Sequence, residues 1–592
     1  MAEQRARQAV VVVHGIGQQR PMSTLSGYVD GITDEDDLAF AAPDRVSDQR
    51  DLKRMKVTWL PPIERSAAEP APPPPVSTDF YELYWANLVQ GSELRHVTAW
   101  LGSLLPNWRR LGPRLKRFLR YHIGYGVVAL FVALVTLVLS FVLPGTWDAE
   151  RAILRWIGGA VIPAASGWIV WHLGDVPRYL HNVADNVSIQ RAIRREGVTL
   201  LRNLHDMTYV GSTRPMYERI VVVGHSLGSV VAYDIVRDYW TDTNRFYGIG
   251  PATAQEIREA ADAVELDGEA LWMGPPSVAA SSGDIGFSRF QAVQRALSAR
   301  WQDTRSDPPG DETAARWAIT DLVTLACPLT HADFLMASGP DAIAQAQWNR
   351  TLASCPPRRQ LDRASYRFEY VRGRVGTQSW HQAAPFAPTR WTNVYYSSDV
   401  VGGPLQPLFG PGIVDIELEP PSGRRGRMPG VHSLYDATPE ALGILRRIIW
   451  DGGTRAGAET ILELRRDSLV RVVRDLVDSP HDVDAALTAA PLLSRLDEGQ
   501  RHTVAGLVLR LRESPATDDE IGRLIDEGLS DVVPSVLVGA VSLPRVSDDP
   551  GEDDEWPGEE AWEEEEEEAF EEELEEELEE EEEEEEPEEE EE

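Results

Sequence analysis

The chain is poor in cysteine, with only Cys327 and Cys355 among its 592 residues. Two thiols cannot build a disulfide framework, and such sparing use fits a reducing compartment. Metal signatures are missing as well. There is no H-E-x-x-H and no C-x-x-C pair, so neither a zinc site nor any other cofactor is expected. The opening stretch MAEQRARQAVVVVHG has five consecutive apolar residues, fewer than the core of a secretory signal needs, so none is expected. Residues 548–592 contain no Lys or Arg and 33 of the 96 Asp and Glu, leaving 63 acidic against 57 basic residues elsewhere. The net charge of -39 therefore comes mostly from one low-complexity tail, and the remainder is near neutrality.

What is present is a globular composition, 42% hydrophobic and 26% charged. A chain of this length is expected to hold two or more units with their own cores. Residues 126–143, GVVALFVALVTLVLSFVL, are 18 positions without a charge. As a helix they span roughly 27 Å, close to a bilayer's hydrocarbon thickness. A second apolar stretch, 156–173, follows a short turn and contains Gly158, Gly159 and Pro163. Together they predict a transmembrane hairpin partnered by the lipid bilayer, with Tyr121, Tyr125, Trp147, Trp156, Trp168 and Trp171 near the ends. A buried hairpin of a soluble core and a non-spanning interfacial hairpin are the other readings. Arg109, Arg110, Arg114, Lys116, Arg117 and Arg120 precede the first stretch, and Arg178, Arg191, Arg194 and Arg195 follow the second. Both flanks are thus expected on the cytoplasmic side. This basic cluster adjoins a hydrophobic span, so lipid headgroups explain it more simply than nucleic acid does.

The organisation expected is a catalytic unit over 1–100 and 176–450, interrupted by a basic flank and hairpin at 101–175. Residues 71–75, APPPP, read as a stiff connector or surface loop. Residues 241–316 mix Gly, Pro and Asp and form a long insertion, a candidate lid. Apolar residues at three- and four-residue spacing predict a small helical domain over 451–545. For the tail, 546–592, a solvated coil is the default. Its Phe570, Leu574 and Leu578 form one stripe that a protein partner would have to fold.

The chemistry concentrates in RIVVVGHSLGSVVAYDIVRDY, residues 219–239. A β-branched run at 220–223 reads as a strand buried on both faces. Gly224-His225-Ser226-Leu227-Gly228 follows, then an amphipathic helix. Strand, sharp turn and helix are the context that G-x-S-x-G requires, and the flanking glycines let the backbones pass without Cβ clashes. His225, locked in the turn, is read as a packing or substrate-contact residue. A serine hydroxyl needs a base, itself oriented by a carboxylate, and in this arrangement they follow in the order acid, then histidine. The run WTNVYY at 391–396 ends in Ser397-Ser398-Asp399, an acid just past a strand end. His432 lies 33 residues later in GVHSLY, before a helix with Thr438 as N-cap and Pro439 at its first position. Ser226, Asp399 and His432 are the predicted triad, with Asp333 and His331 as a competing pair. The oxyanion donors are assigned to the backbone N–H of Ile16, after His14-Gly15, and to that of Leu227. GIGQQR could also be read as a dinucleotide loop, but Arg20 stands where its third glycine belongs.

VVVVHGIG, IVVVGHSLG, LVTLACPL, the Asp399 turn and GVHSLY together resemble the lipase and esterase branch of the α/β-hydrolase superfamily. Within it they are similar to a bacterial group with an inserted hydrophobic hairpin. The resemblance covers roughly residues 8–100 and 176–450. It implies a mostly parallel sheet flanked by helices, and acyl transfer through a serine ester to water. The function expected is a membrane-anchored serine hydrolase of carboxylic esters at the cytoplasmic face of a bacterial inner membrane, with lipid-like esters as substrates by proximity. A degenerate hydrolase acting as a scaffold, and an esterase or thioesterase of soluble substrates, are the alternatives.

Overall fold

A computed structural model describes residues 7–16, 20–33, 37–46, 53–58, 77–89, 94–104, 113–142, 175–244, 283–302, 316–421 and 430–536, with parts of 150–161 and short gaps inside the longer ranges. Residues 71–75, the acidic tail and its stripe lie outside the described residues. The centre of the chain is an eight-stranded sheet in the order β10-β9-β6-β5-β1-β4-β3-β2. Its strands are β1 (Arg7–Val13), β2 (Leu38–Pro43), β3 (Lys53–Thr58), β4 (Ser77–Leu83), β5 (Arg219–His225), β6 (Ile319–Leu325), β9 (Arg390–Tyr396) and β10 (Val414–Leu418). A separate hairpin pairs β7 (Arg367–Arg372) with β8 (Val375–Trp380). β10, β9, β6, β5, β1 and β4 are parallel, while β3 and β2 add antiparallel pairs at one edge. This is an α/β architecture.

The apolar runs that mark the central strands are explained by helices on both faces. Side chains alternate across a strand, so Val11 and Val13 of β1 and Val222 of β5 enter one core. That core is shared with α3 (Ala184–Asp206), α4 (Leu227–Thr243) and α5 (Gly283–Gln302). Val10, Val12, Val221 and Val223 enter the other, packed against α1 (Ser23–Ile32) and α6 (Pro439–Trp450). α7 (Gly457–Asp478), α8 (Val483–Ala489), α9 (Glu498–Glu513) and α10 (Asp518–Gly528) enclose a third apolar cluster of their own. An Asp497–Gln500 capping box starts α9.

Two expectations meet different outcomes. Most of the 241–316 insertion, the candidate lid, lies outside the described residues; its described helix α5 packs in the core, where Phe290 and Leu297 are buried and Gln294 donates to the carbonyls of Phe386 (2.7 Å) and Thr389 (3.2 Å). The first apolar stretch forms the end of the 30-residue helix α2 (Pro113–Val142). However, no helix among the described residues is long and apolar enough to cross a membrane. The described side chains of α2 give a continuous uncharged run only over 128–142, and most of 156–173 lies outside the described residues. The expected spanning hairpin therefore finds no support among them.

At the N-terminal ends of β5, β6 and β9, Asp321 bridges Arg219 and Arg390 at 2.5 Å each, and all three are almost fully buried. Arg219 also donates to the carbonyls of Ile448 (2.9 Å) and Ile449 (3.3 Å), tying the last turn of α6 to the sheet. Burial alone would raise the Asp321 pKa, but the two guanidinium charges outweigh it and hold the carboxyl at about 2, below its usual 3.8. Its stabilising contribution is thus complete above the unfolded value and lost as pH falls through the folded one. Asp321→Asn should cost about 3–5 kcal/mol in urea unfolding at neutral pH, since two buried cations lose their carboxylate. The variant should also lose part of the wild-type decline in stability between pH 4 and 2.

Candidate active site

The six parallel strands present their C-terminal ends to one edge, and the strand order diverges to either side of β1 and β5. That is the crevice where open α/β sheets hold ligands. β5 ends at His225 and α4 begins at Leu227, leaving one residue for the reversal. Ser226 occupies it with φ 51° and ψ -127°, a conformation that costs a non-glycine residue about 1–3 kcal/mol. The surroundings hold it there. Ser226 N–H donates to the Leu325 carbonyl (2.9 Å), and Ser229 Oγ donates to that of Gly224 (2.8 Å). A Cβ at Gly228 would lie 2.2 Å from the His14 carbonyl oxygen, so the first turn of α4 presses directly on the end of β1.

The structure brings Ser226, His432 and Asp399 together. Ser226 Oγ lies 2.8 Å from His432 Nε2, and His432 Nδ1 lies 3.0 Å from Asp399 Oδ2. The carboxylate fixes the ring proton on Nδ1, which leaves Nε2 free to accept from the serine. His432 sits in the helical turn Gly430–Asp436, and Asp399 lies in the turn after β9. Asp399 has no exposed surface, whereas the His432 side chain is 20% exposed, open enough for a reactant to reach the ring. Burial alone would raise the Asp399 pKa. The adjacent imidazole, together with hydrogen bonds from His432, Val401 N–H and Tyr435, instead holds it at about 2. Oδ1 accepts from Val401 N–H (2.9 Å), and Oδ2 accepts a second donor, the Tyr435 hydroxyl, at 3.0 Å.

The loop after β1 is anchored from below. His14 is fully buried, stacks on Trp85 and accepts its N–H at Nε2 (3.1 Å), while Nδ1–H donates to the Gly15 carbonyl (2.8 Å). Burial lowers its pKa to about 4, so it is neutral and structural. A Cβ at Gly15 would stand 3.2 Å from Ser226 Cβ, which places this backbone beside the Ser226 side chain. Ile16 follows, packed against the core, and Leu227 opens α4.

The competing pair is not assembled. His331 Nε2 donates to the Val400 carbonyl (2.9 Å), bracing the Asp399 turn from outside the Ser226 hydrogen-bond chain. Asp333, raised to about 6 by burial, accepts backbone N–H groups of its own short helix. His381 donates to the Arg358 carbonyl. His225, between packing and contact in the sequence reading, donates Nε2–H to the His432 carbonyl (3.1 Å) and so fixes the loop that carries the base. Tyr435 had no assigned role. Its signal is its place three residues after His432, which puts both on one side of a helical turn. Cys327 and Cys355 are both buried and free. Among the described residues, no group of three or more His, Cys, Asp or Glu side chains gathers as a metal site.

No family model, curated protein or solved structure matches the chain. The resemblance to α/β-hydrolases therefore rests on its motifs and on the geometry above.

The Tyr435 hydroxyl donates to Asp399 and accepts from Tyr396 N–H (2.9 Å). Tyr435→Phe removes both bonds at almost constant volume and leaves that N–H buried. It should lower stability by about 1–3 kcal/mol and slow fluorophosphonate labelling of Ser226. Wild-type values in thermal melts and labelling time courses would contradict this role.

Proposed function

We propose that this protein is a serine hydrolase of carboxylic esters acting at a membrane face. The observation that carries the proposal is the hydrogen-bond chain Ser226–His432–Asp399, 2.8 and 3.0 Å long, built on a positive-φ serine at the sheet's C-terminal edge. In the reaction His432 Nε2 takes the Ser226 proton as Oγ attacks the acyl carbon. The developing oxyanion is received by the N–H groups of Ile16 and Leu227, a kind of donor worth about 10²–10³ each in rate. His432 then gives the proton to the leaving alkoxide, and the acyl group stays on Ser226. A water molecule attacks this ester, passes its proton to Nε2 and releases the acid, and the serine regains its proton. Asp399 stays ionised throughout and stabilises the imidazolium of each step.

The membrane part of the proposal is supported by α2. Phe131, Leu134, Leu137, Val138 and Phe141 stand exposed on it, Phe131 at 64% and Phe141 at 67%. Exposed apolar surface on this scale marks a partner or a membrane. Transferring such side chains into hydrocarbon gains about 1.5–3 kcal/mol each. The basic residues near its N-terminal end, Lys116, Arg117 and Arg120, suit anionic headgroups. An apolar helix inserted in the hydrolase sequence keeps the site near lipid, so lipid-like esters are the proposed substrates.

A fluorophosphonate probe should label the wild type in isolated membranes and fail to label Ser226→Ala. A folded but unlabelled wild type rejects the hydrolase. Leu134→Asp with Val138→Asp should reduce co-sedimentation with anionic phospholipid vesicles by about tenfold or more, because each removes about 1.5–3 kcal/mol of apolar transfer and adds a charge that anionic headgroups repel. Higher turnover of short soluble esters than of vesicle lipids would remove the lipid assignment and leave the hydrolase standing.

A further inference from the structure

The turn that carries Asp399 exposes its backbone carbonyls to a ring of donors. Val400 O accepts from His331 Nε2 (2.9 Å), Gly403 O from Asn393 Nδ2 (2.9 Å), and Pro404 O from Thr330 Oγ1 (3.1 Å). Those three donors belong to β9 and to the segment after β6, within the hydrolase unit itself. The carbonyls of Gly402 (2.8 Å) and Asp399 (3.4 Å) both accept from Nη1 of Arg114. Arg114 also lies over the Tyr395 ring, 5.4 Å from its centroid. It belongs to the first turn of α2, the helix whose later turns carry the exposed apolar residues.

We infer that Arg114 is a positioning residue for Asp399, through which the seating of the apolar helix sets the geometry of the catalytic acid. This inference rests on the hydrolase reading above. A continuous helix is a stiff rod, and Arg114 stands about 21 Å along it from Val128, the first exposed large apolar side chain among the described residues of α2, at 1.5 Å per residue. A shift of the apolar end thus moves the guanidinium at the other end. The planar fork can place one N–H group between two carbonyls, which a lysine ammonium does less rigidly. If Arg114 withdraws, two carbonyls of the turn lose their donor. The turn then loosens, with its Val401 N–H bond to Asp399 Oδ1 and the carboxylate's aim at His432 Nδ1. Anchoring of α2 in lipid holds the clamp closed. The apolar segment in this way acts on the active site as well as on location.

The test uses the full chain, with Arg114→Ala and Arg114→Lys, and reads two quantities. The first is the fluorophosphonate labelling rate. Arg114→Ala should label about 10–100-fold more slowly, as small displacements of a catalytic group do. Arg114→Lys should recover part of the lost rate. The second is hydrogen exchange of residues 399–404. Exchange should accelerate in Arg114→Ala while the unfolding midpoint is kept, and binding to anionic phospholipid vesicles should slow it in the wild type but not in Arg114→Ala. Unchanged labelling, or unchanged exchange in the alanine variant, overturns the positioning role. Wild-type exchange indifferent to vesicles overturns the coupling to the helix. An unlabelled wild type rejects the hydrolase reading alone, and the exchange measurements still decide the clamp.

Discussion

Asp399 is a carboxylate without exposed surface, and burial alone would drive it to take up a proton. It stays ionised because each oxygen has a donor: Val401 N–H on one, His432 and Tyr435 on the other. Much of the local structure follows from this requirement. The turn after β9 must fold back on itself to offer Val401 N–H, and its carbonyls then need donors of their own. His331 crosses from the end of β6 to provide one. The helical turn Gly430–Asp436 must bring both His432 and Tyr435 to the same oxygen, and the His225 ring holds that turn by its backbone. One buried charge thus organises segments from three separate regions of sequence.

A second constraint is the strained backbone at Ser226. Positive φ in a non-glycine residue persists only where its neighbours over-determine it. Here the pressure comes from both sides. Leu325 accepts the serine N–H on the β6 side, and the end of β1 meets the first turn of α4 at Gly228. The same compression brings the Gly15 backbone against Ser226. Strain at Ser226 and proximity of the loop after β1 are therefore one packing arrangement. The buried His14–Trp85 stack supports it from below.

Much of this was legible in local sequence, because it depends on local rules. Unbroken Val runs signal strands covered on both faces, and the two cores that share Val10–Val13 between them are the reason. G-x-S-x-G between a strand and a helix announces a reversal that only one geometry satisfies. Asp399 and His432 were legible through position, the first just beyond a strand end and the second just ahead of a helix. The remaining partners were not, because a long-range hydrogen bond leaves no periodicity. Arg114 read as one basic residue among several before an apolar stretch, and nothing local distinguishes the one that reaches a carbonyl 288 positions away. The insertion at 241–316 read as a lid from its glycines and prolines. Yet α5 within it buries Phe290 and Leu297, which an average over composition conceals. Hydropathy likewise records that 126–143 is apolar, but not what lies against it.

Comparing the two buried aspartates at opposite ends of the sheet shows what distinguishes a structural charge from a working one. Asp321 and Asp399 are both held near pKa 2 against burial. Asp321 faces two guanidinium groups whose charge never changes, so its environment has a single state and serves only to join strands β5, β6 and β9. Asp399 faces an imidazole whose charge must appear and vanish twice in each proposed turnover. Its site therefore has to be stable in two charge states. Neutral donors from Tyr435 and Val401 sustain the carboxylate while His432 is uncharged, and the ion pair adds to them when the ring is protonated. A fixed cation paired directly with the Asp399 carboxylate oxygens would share the carboxylate's field and weaken its hold on the imidazolium. Apart from His432, the donors on the Asp399 carboxylate are uncharged, and Arg114 reaches the turn through backbone carbonyls, which leaves that field directed at His432, where the proposed acyl transfer needs it.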